Sequence, residues 1–528
     1  MSDETRSTTE SKIFGAAFIV SGATFLSRIT GFLRDMIFAS LFGVSIASDA
    51  FYVAFRIPNL LREMMAEGSI SAGFIPVFTE YFHKRSREEA ASLVRAVFTF
   101  LLTILIVLVL CGILFAPFIM RFIAPGFLEN PVLFHLATSL TRVMFPFLLF
   151  ISLAALTMGI LNSTRHFGPP AISSALCNIV MIVFILFPFY PEPIFSAAMG
   201  VVFGGLCQWA MQLPFVKKEG FSLSLRWPIF PLHPGLLRIL KLIVPVTVSL
   251  SVTQINILVG TIVASTLAKG SVTYLFYAMR LIHFPLGIFA VALSTVLLPT
   301  LSACAAKSDY IELRKSFSFG LRLIFFIMVP AMVGLIFLRI PIVHLLFEHG
   351  HFDHQATIET SRAIFYYAIG LWAFAGVRIV VPVFYSLQDT KTPVKVAIAA
   401  MILNVILTFL LVIPLQHGGI ALATSISAAF NFLVLIVLLR RKIGQIDGKR
   451  IVFSHIKVII AGLCMIPLAL WVSYLPLWES AKNWGQKTLF LTITILASAI
   501  LYFIVQILLK SDEMAFIKNS IKNRLKIA

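Results

Sequence analysis

Residues 27–69 read SRITGFLRDMIFASLFGVSIASDAFYVAFRIPNLLREMMAEGS, a strongly apolar stretch with Arg28, Arg34, Asp35, Asp49, Arg56, Arg62, Glu63 and Glu67 set into it. A charge at the centre of a bilayer costs about 3 kcal/mol on insertion scales, so several in one stretch need a polar interior to face. The stretch therefore predicts helices that line a solute path through a membrane.

The rest of the chain supplies the membrane class. Of its 528 residues, 59% are hydrophobic and only 12% charged, which excludes a soluble globular protein. About fourteen apolar runs, the first near Ile13 and the last near Thr488, approach the roughly twenty residues a bilayer requires. The net charge of +19 sorts by connection, which argues for topology and against a nucleic-acid partner. Lys84, Arg85, Arg87, Lys217, Lys218, Lys391, Lys395 and Arg440 to Lys442 fall on one side, with little beyond Arg121, Lys269, Lys482 and Lys487 on the other. The positive-inside rule makes the first side cytoplasmic, with both termini on it. Residues 1–12, MSDETRSTTESK, read as a cytoplasmic tail without a removable signal peptide.

Internal similarity recurs in order. LNSTRHF and CNIVMIVFILFP match LQDTKTP and LNVILTFLLVIP, so that Asn404 lies 226 residues after Asn178 and Pro414 the same distance after Pro188. FYVAFRIP around Arg56 matches LFYAMRLI around Arg280 at an offset of 224, and Pro76 matches Pro299 at 223. Collinear matches at nearly constant offset point to a duplication with about six spans per copy. Six spans return the chain to its starting side, so the two copies share one orientation, related by an axis along the membrane normal, with substrate bound between them. The expected fold is all-α, a polytopic membrane protein of about fourteen helices. It divides into an N-lobe over 13–220, a C-lobe over 221–442, and two further helices with a cytoplasmic tail over 443–528.

Seven-residue spacing places Arg28 with Asp35 near one face of the first helix, and Asp49, Arg56 and Glu63 on one face of the second. Gly22 and Gly31 are candidate bends in the first helix. With Arg280 from the second copy, Arg28, Arg34, Arg56 and Arg62 outweigh Asp35 and Asp49 and give a cationic cavity. Guanidinium groups stay charged and grip phosphate oxygens in a bidentate fork, so a diphosphate suits such a cavity and a drug cation does not. The competing reading is internal pairing, Arg34 with a nearby acid and Asp49 with Arg56, that fixes helix packing alone. Asn59, Arg62, Glu63 and Glu67 near the cytoplasmic end suit a gate, while Arg142 and Arg378 serve as secondary contacts or packing partners.

HLLFEHGHFDH gathers His344, Glu348, His349, His351, Asp353 and His354, but the spacing matches no compact structural zinc site, and no metal is expected. The five cysteines lack CxxC pairing and read as buried free thiols. No phosphate-cradling loop or nucleophile elbow appears, which argues against an ATP-driven pump, and no cofactor is expected.

SRITGFLRD, SDAFYVAFRIPNLLREMMAEGS and FIPVF resemble the MurJ (MviN) lipid II flippases. The resemblance continues in the APGF at 124–127, YAMRLIHFPLG, VALSTVLLP and FYSLQDTKTP, and weakens over the last two spans. It implies the multidrug/oligosaccharidyl-lipid/polysaccharide exporter fold, with two six-helix lobes and two extra helices. It also implies movement of lipid II, an undecaprenyl diphosphate carrying a disaccharide-pentapeptide, from the inner to the outer leaflet of the bacterial cytoplasmic membrane by alternating access. Cell-wall synthesis proteins are the partners it suggests, beside membrane lipids. Carried over by position, the family's cavity arginines are Arg28, Arg34, Arg62 and Arg280, with Asp35 and Asp49 beside them, and Arg56 is its basic position in VAF(K/R)xPN. His283 stands where family members can carry Glu, so any acid-dependent role differs here. Another polyprenyl-diphosphate oligosaccharide flippase, a multidrug antiporter and an integral-membrane glycosyltransferase are the alternatives. The last needs carboxylates at a membrane face, and the outward connections offer little beyond Glu348, Asp353 and Glu479.

Overall fold

The computed structural model describes residues 3–64, 70–226, 232–479 and 483–525, and helix is the regular secondary structure among them. Two compact units follow one another along the chain, Met1–Lys269 and Gly270–Ala528.

The first unit opens with α1 (Asp3–Phe42), α2 (Ile46–Arg62), α3 (Ile70–Lys84), α4 (Arg87–Leu114) and the short α5 (Ala116–Ile123). It continues through α6 (Pro131–Met144), α7 (Phe147–Ser163), α8 (Gly168–Leu186), α9 (Pro193–Lys218) and α10 (Pro234–Ser265). α1 starts at Asp3 and runs as unbroken helix through Gly22 and Gly31, the candidate bends. An isolated helical glycine costs only about 1 kcal/mol against alanine, too little to break a forty-residue run. The turn into α2 is built by Gly43, whose φ of +55° suits glycine, and by Ser45, which caps α2 by accepting from the Ser48 amide at 3.2 Å. Phe74, Phe78, Leu93, Val97, Leu148 and Leu156 form much of the core between α3, α4 and α7.

α10 packs on α3, α4 and α5, so the seventh apolar run lies in the first unit and not beyond a boundary at 220. Gly126 explains the APGF sequence: a β-carbon there would sit 2.1 Å from the Ser265 carbonyl oxygen at the end of α10.

The second unit holds α11 (Ser271–Pro285), α12 (Val291–Ala306), α13 (Tyr310–Phe337), α14 (Arg339–Phe347), α15 (His354–Ala368) and α16 (Leu371–Ser386). After them come α17 (Lys391–Leu415), α18 (His417–Ile443), α19 (Gly448–Ser473), α20 (Trp484–Leu508) and α21 (Asp512–Leu525). The two late spans lean on α13, where Phe326, Val329 and Val333 meet Val458, Met465 and Tyr502. A π turn follows Pro285 over 286–290, and another covers 63–64 at the end of α2. The two π turns start 223 residues apart, close to the offset of 224 that relates Arg56 to Arg280.

Among the described residues, ten helices are long and apolar enough to cross a membrane, and the α15–α16 pair, bent by 43°, makes an eleventh. All fourteen expected runs fall in helix, but the first, second and seventh lie outside this set. α2 has only seventeen residues and carries Asp49, Arg56 and Arg62. Outward faces are hydrophobic: on α17, Ile402, Ile406, Phe409, Leu410 and Ile413 are all more than half exposed. A continuous apolar stripe of that kind belongs against lipid, and the chain is a multi-pass membrane protein. All five cysteines are free, but only Cys177 and Cys304 are buried; Cys111 and Cys464 are exposed, since a thiol on a lipid-facing helix needs no burial.

Candidate functional site

Charged residues of α1 and α2 take part in two hydrogen-bond networks. In the first, Arg34 Nη2 and Nε donate to Asp35 Oδ1 at 2.6 and 3.0 Å, and Nη1 donates to Asn178 Oδ1 on α8 at 3.0 Å. Asn178 Nδ2 in turn donates to the Ser27 carbonyl at 3.2 Å, so α8 is bound to α1 at two levels. Asp35 is buried, and its carboxylate is compensated by a guanidinium that is itself largely enclosed, 17% exposed. The pairing of Arg34 with a neighbouring acid is thus real. It also fixes the orientation of a guanidinium within a membrane-embedded helix.

The second network closes the end of α2. Arg62 Nε donates to Asn59 Oδ1 at 3.0 Å, Asn59 Nδ2 donates to Glu63 Oε1 at 2.9 Å, and Gln254 Nε2 on α10 donates to Glu63 Oε2 at 2.6 Å. Arg62 also lies 3.7 Å from Glu63. This arrangement links α2 to α10 through one carboxylate.

Asp49 is buried on α2 beside Ser48, and Arg56, one face-repeat further on, is half-buried. Arg28 is exposed on α1. In the second unit Arg280 is half-buried on α11, with His283 exposed three residues later, and Arg378 is exposed on α16. Arg142 is an outlying member: exposed on α6, it donates to the Ile113 carbonyl at 3.3 Å and fastens α6 to α4. Glu67 lies outside the described residues. Asn178, Glu63 and Gln254 complete the networks. Asn178 was flagged in the sequence only by its match to Asn404, which has its own polar partner in Thr424 at 3.3 Å.

The family described as Lipid II flippase MurJ matches residues 38–495 of this chain. The chain belongs to the MurJ family. It is 38% identical over 434 residues to the Lipid II flippase MurJ of Burkholderia cenocepacia, covering 81% of this chain and 84% of that protein. It is 33% identical over 497 residues to the probable lipid II flippase MurJ of Vibrio cholerae, covering 92% and 94% respectively. Among solved structures, MurJ in an inward closed conformation superposes with a TM-score of 0.77 at 28% identity, covering 93% of this chain and 99% of that one. An inward-facing multidrug resistance MATE transporter matches with a TM-score of 0.67 at 15% identity over 82% of this chain and 99% of that one, a likeness of fold alone. The MurJ relatives carry the names of flippases, so the family is one of transporters.

Proposed function

We propose that this chain is a lipid II flippase: it moves an undecaprenyl-diphosphate-linked disaccharide-pentapeptide from the inner to the outer leaflet of a bacterial cytoplasmic membrane by alternating access. The observation that carries the reading is the charged α1–α2 segment, where Arg28, Arg34, Arg56 and Arg62 outnumber Asp35 and Asp49 within sequence of membrane character. Family membership supports it, since the named relatives are lipid II flippases.

In this account Arg28, Arg56, Arg62 and Arg280 bind the diphosphate, and Arg34 is a substrate contact held in place by Asp35 and Asn178. Asp49 balances the cationic charge on α2. Asn59 and Glu67 belong to the gate, with His283, Arg142 and Arg378 as secondary positions. Both termini face the cytoplasm, as the basic connections favour. Proteins of cell-wall synthesis, which consume the translocated lipid, are the natural partners.

Binding to the purified full chain in lipid nanodiscs tests the ligand class. Lipid II is expected to bind at least tenfold more tightly than an analogue in which a neutral linkage replaces the diphosphate. Equal affinities would remove the arginine-based account of substrate choice.

A further inference from the structure

On the connection between α14 and α15, three side chains with metal-binding atoms converge. His344, in the last turn of α14, is fully buried, and its Nδ1 lies 2.8 Å from Glu348 Oε2. His354, the first residue of α15, places its Nδ1 3.2 Å from the same oxygen. All three donor atoms lie within 4.8 Å of one another. Other members of the cluster are engaged elsewhere: His349 Nε2 sits 3.1 Å from the Leu345 carbonyl oxygen while its ring lies against Trp484, and Asp353 caps α15 through the Ala356 amide at 2.7 Å.

We propose that His344, Glu348 and His354 form a zinc site on this connection. Two imidazoles and a carboxylate are a zinc donor set, with the fourth tetrahedral position left for water. Calcium and magnesium take oxygen ligands and are disfavoured by the two nitrogens. Zinc bonds of about 2.0–2.2 Å at tetrahedral angles set donor atoms roughly 3.3–3.5 Å apart, so small side-chain shifts from the observed spacing admit the ion.

Outer partners are already in place. Thr357 Oγ1 donates to Glu348 Oε2 at 2.6 Å, and Lys487 Nζ, buried on α20, lies 2.8 Å from His344 Nε2. The ring of His344 stacks on Trp484 with centroids 5.4 Å apart. Zinc takes imidazole in its neutral form, with the ring proton on the nitrogen the ion does not use, so binding weakens as the pH falls. The ion would tie the end of α14 to the start of α15 beneath α20. This inference stands apart from the transport reading, because none of its ligands belongs to the arginine networks.

The test uses the full chain in detergent, stripped of metal and titrated with zinc against a chromophoric chelator. One zinc per chain is expected, with His354→Ala and Glu348→Gln each binding at least tenfold more weakly. His351→Ala, an exposed histidine on the same connection, should bind as the wild type does. Zinc should also raise the Tm of the wild type and leave that of His354→Ala unchanged. A folded wild type that takes up no zinc, a His354→Ala variant that binds with wild-type affinity, or an equal loss in His351→Ala would overturn the proposal.

Discussion

Arg34 Nη1 donates to Asn178 Oδ1 at 3.0 Å, joining residues 144 positions apart and binding the charged segment of α1 to α8. The same guanidinium compensates the buried Asp35, so charge and packing meet in one side chain.

Removing that guanidinium leaves Asp35 buried without its ion-pair partner, a loss of about 3 kcal/mol. Arg34→Ala should therefore lower the Tm of the purified chain more than Arg34→Ala/Asp35→Ala, in which the stranded carboxylate is gone. Equal losses, read by scanning fluorimetry, would show that the pair adds nothing beyond its separate members.

The Gln254–Glu63 contact makes a second prediction. Gln254→Leu and Glu63→Gln should show a coupling of about 1–2 kcal/mol in a double-mutant cycle, as expected for a charge-assisted hydrogen bond. Strict additivity of the two single losses would mean that α2 and α10 are not linked through this carboxylate.

Gly126 allows the turn after α5 to approach α10. Gly126→Ala would place a β-carbon 2.1 Å from the Ser265 carbonyl oxygen, so backbone must shift. Overpacking of this kind costs about 1–3 kcal/mol. A variant that melts with the wild type would contradict the close packing.

Acid stability has a readable contribution at the α16–α17 connection. Lys442 Nζ at 2.6 Å, with the amide and hydroxyl of Thr392, holds the Asp389 carboxyl well below its ordinary value, to about 2. A carboxyl whose folded value is depressed stabilises the fold above its unfolded value of about 3.9, and that contribution disappears as the pH falls through the folded value. Lys442→Met should thus cost about 0.5 kcal/mol at pH 7, a figure suited to a partly exposed pair, with the difference from wild type vanishing towards pH 2. A difference that persists unchanged at pH 2 would exclude this ion pair as its source.

Much of the architecture was legible because lipid imposes length and apolarity on each span: every expected run lies in helix, and the repeat read from Arg56 and Arg280 reappears in paired π turns. The charged α1–α2 segment was legible for the same reason, since charge is conspicuous against that background. Partners distant in the chain were not. Nothing local to Arg34 announces Asn178, and nothing local to His344 announces Lys487, because such pairs are set by how helices pack and not by periodicity. Helix continuity through Gly31 and the grouping of α10 with the first unit were missed on similar grounds: a local weakness or a regular count of six yields to tertiary contacts.

The central claim is tested most directly by leaflet-resolved lipid II translocation in cells depleted of their own flippase and supplied with this chain. Wild type should restore outer-leaflet lipid II, and correctly inserted Arg28→Ala and Arg280→Ala should each reduce its appearance at least tenfold. Unchanged translocation in both variants, or none with the folded wild type, would contradict the account.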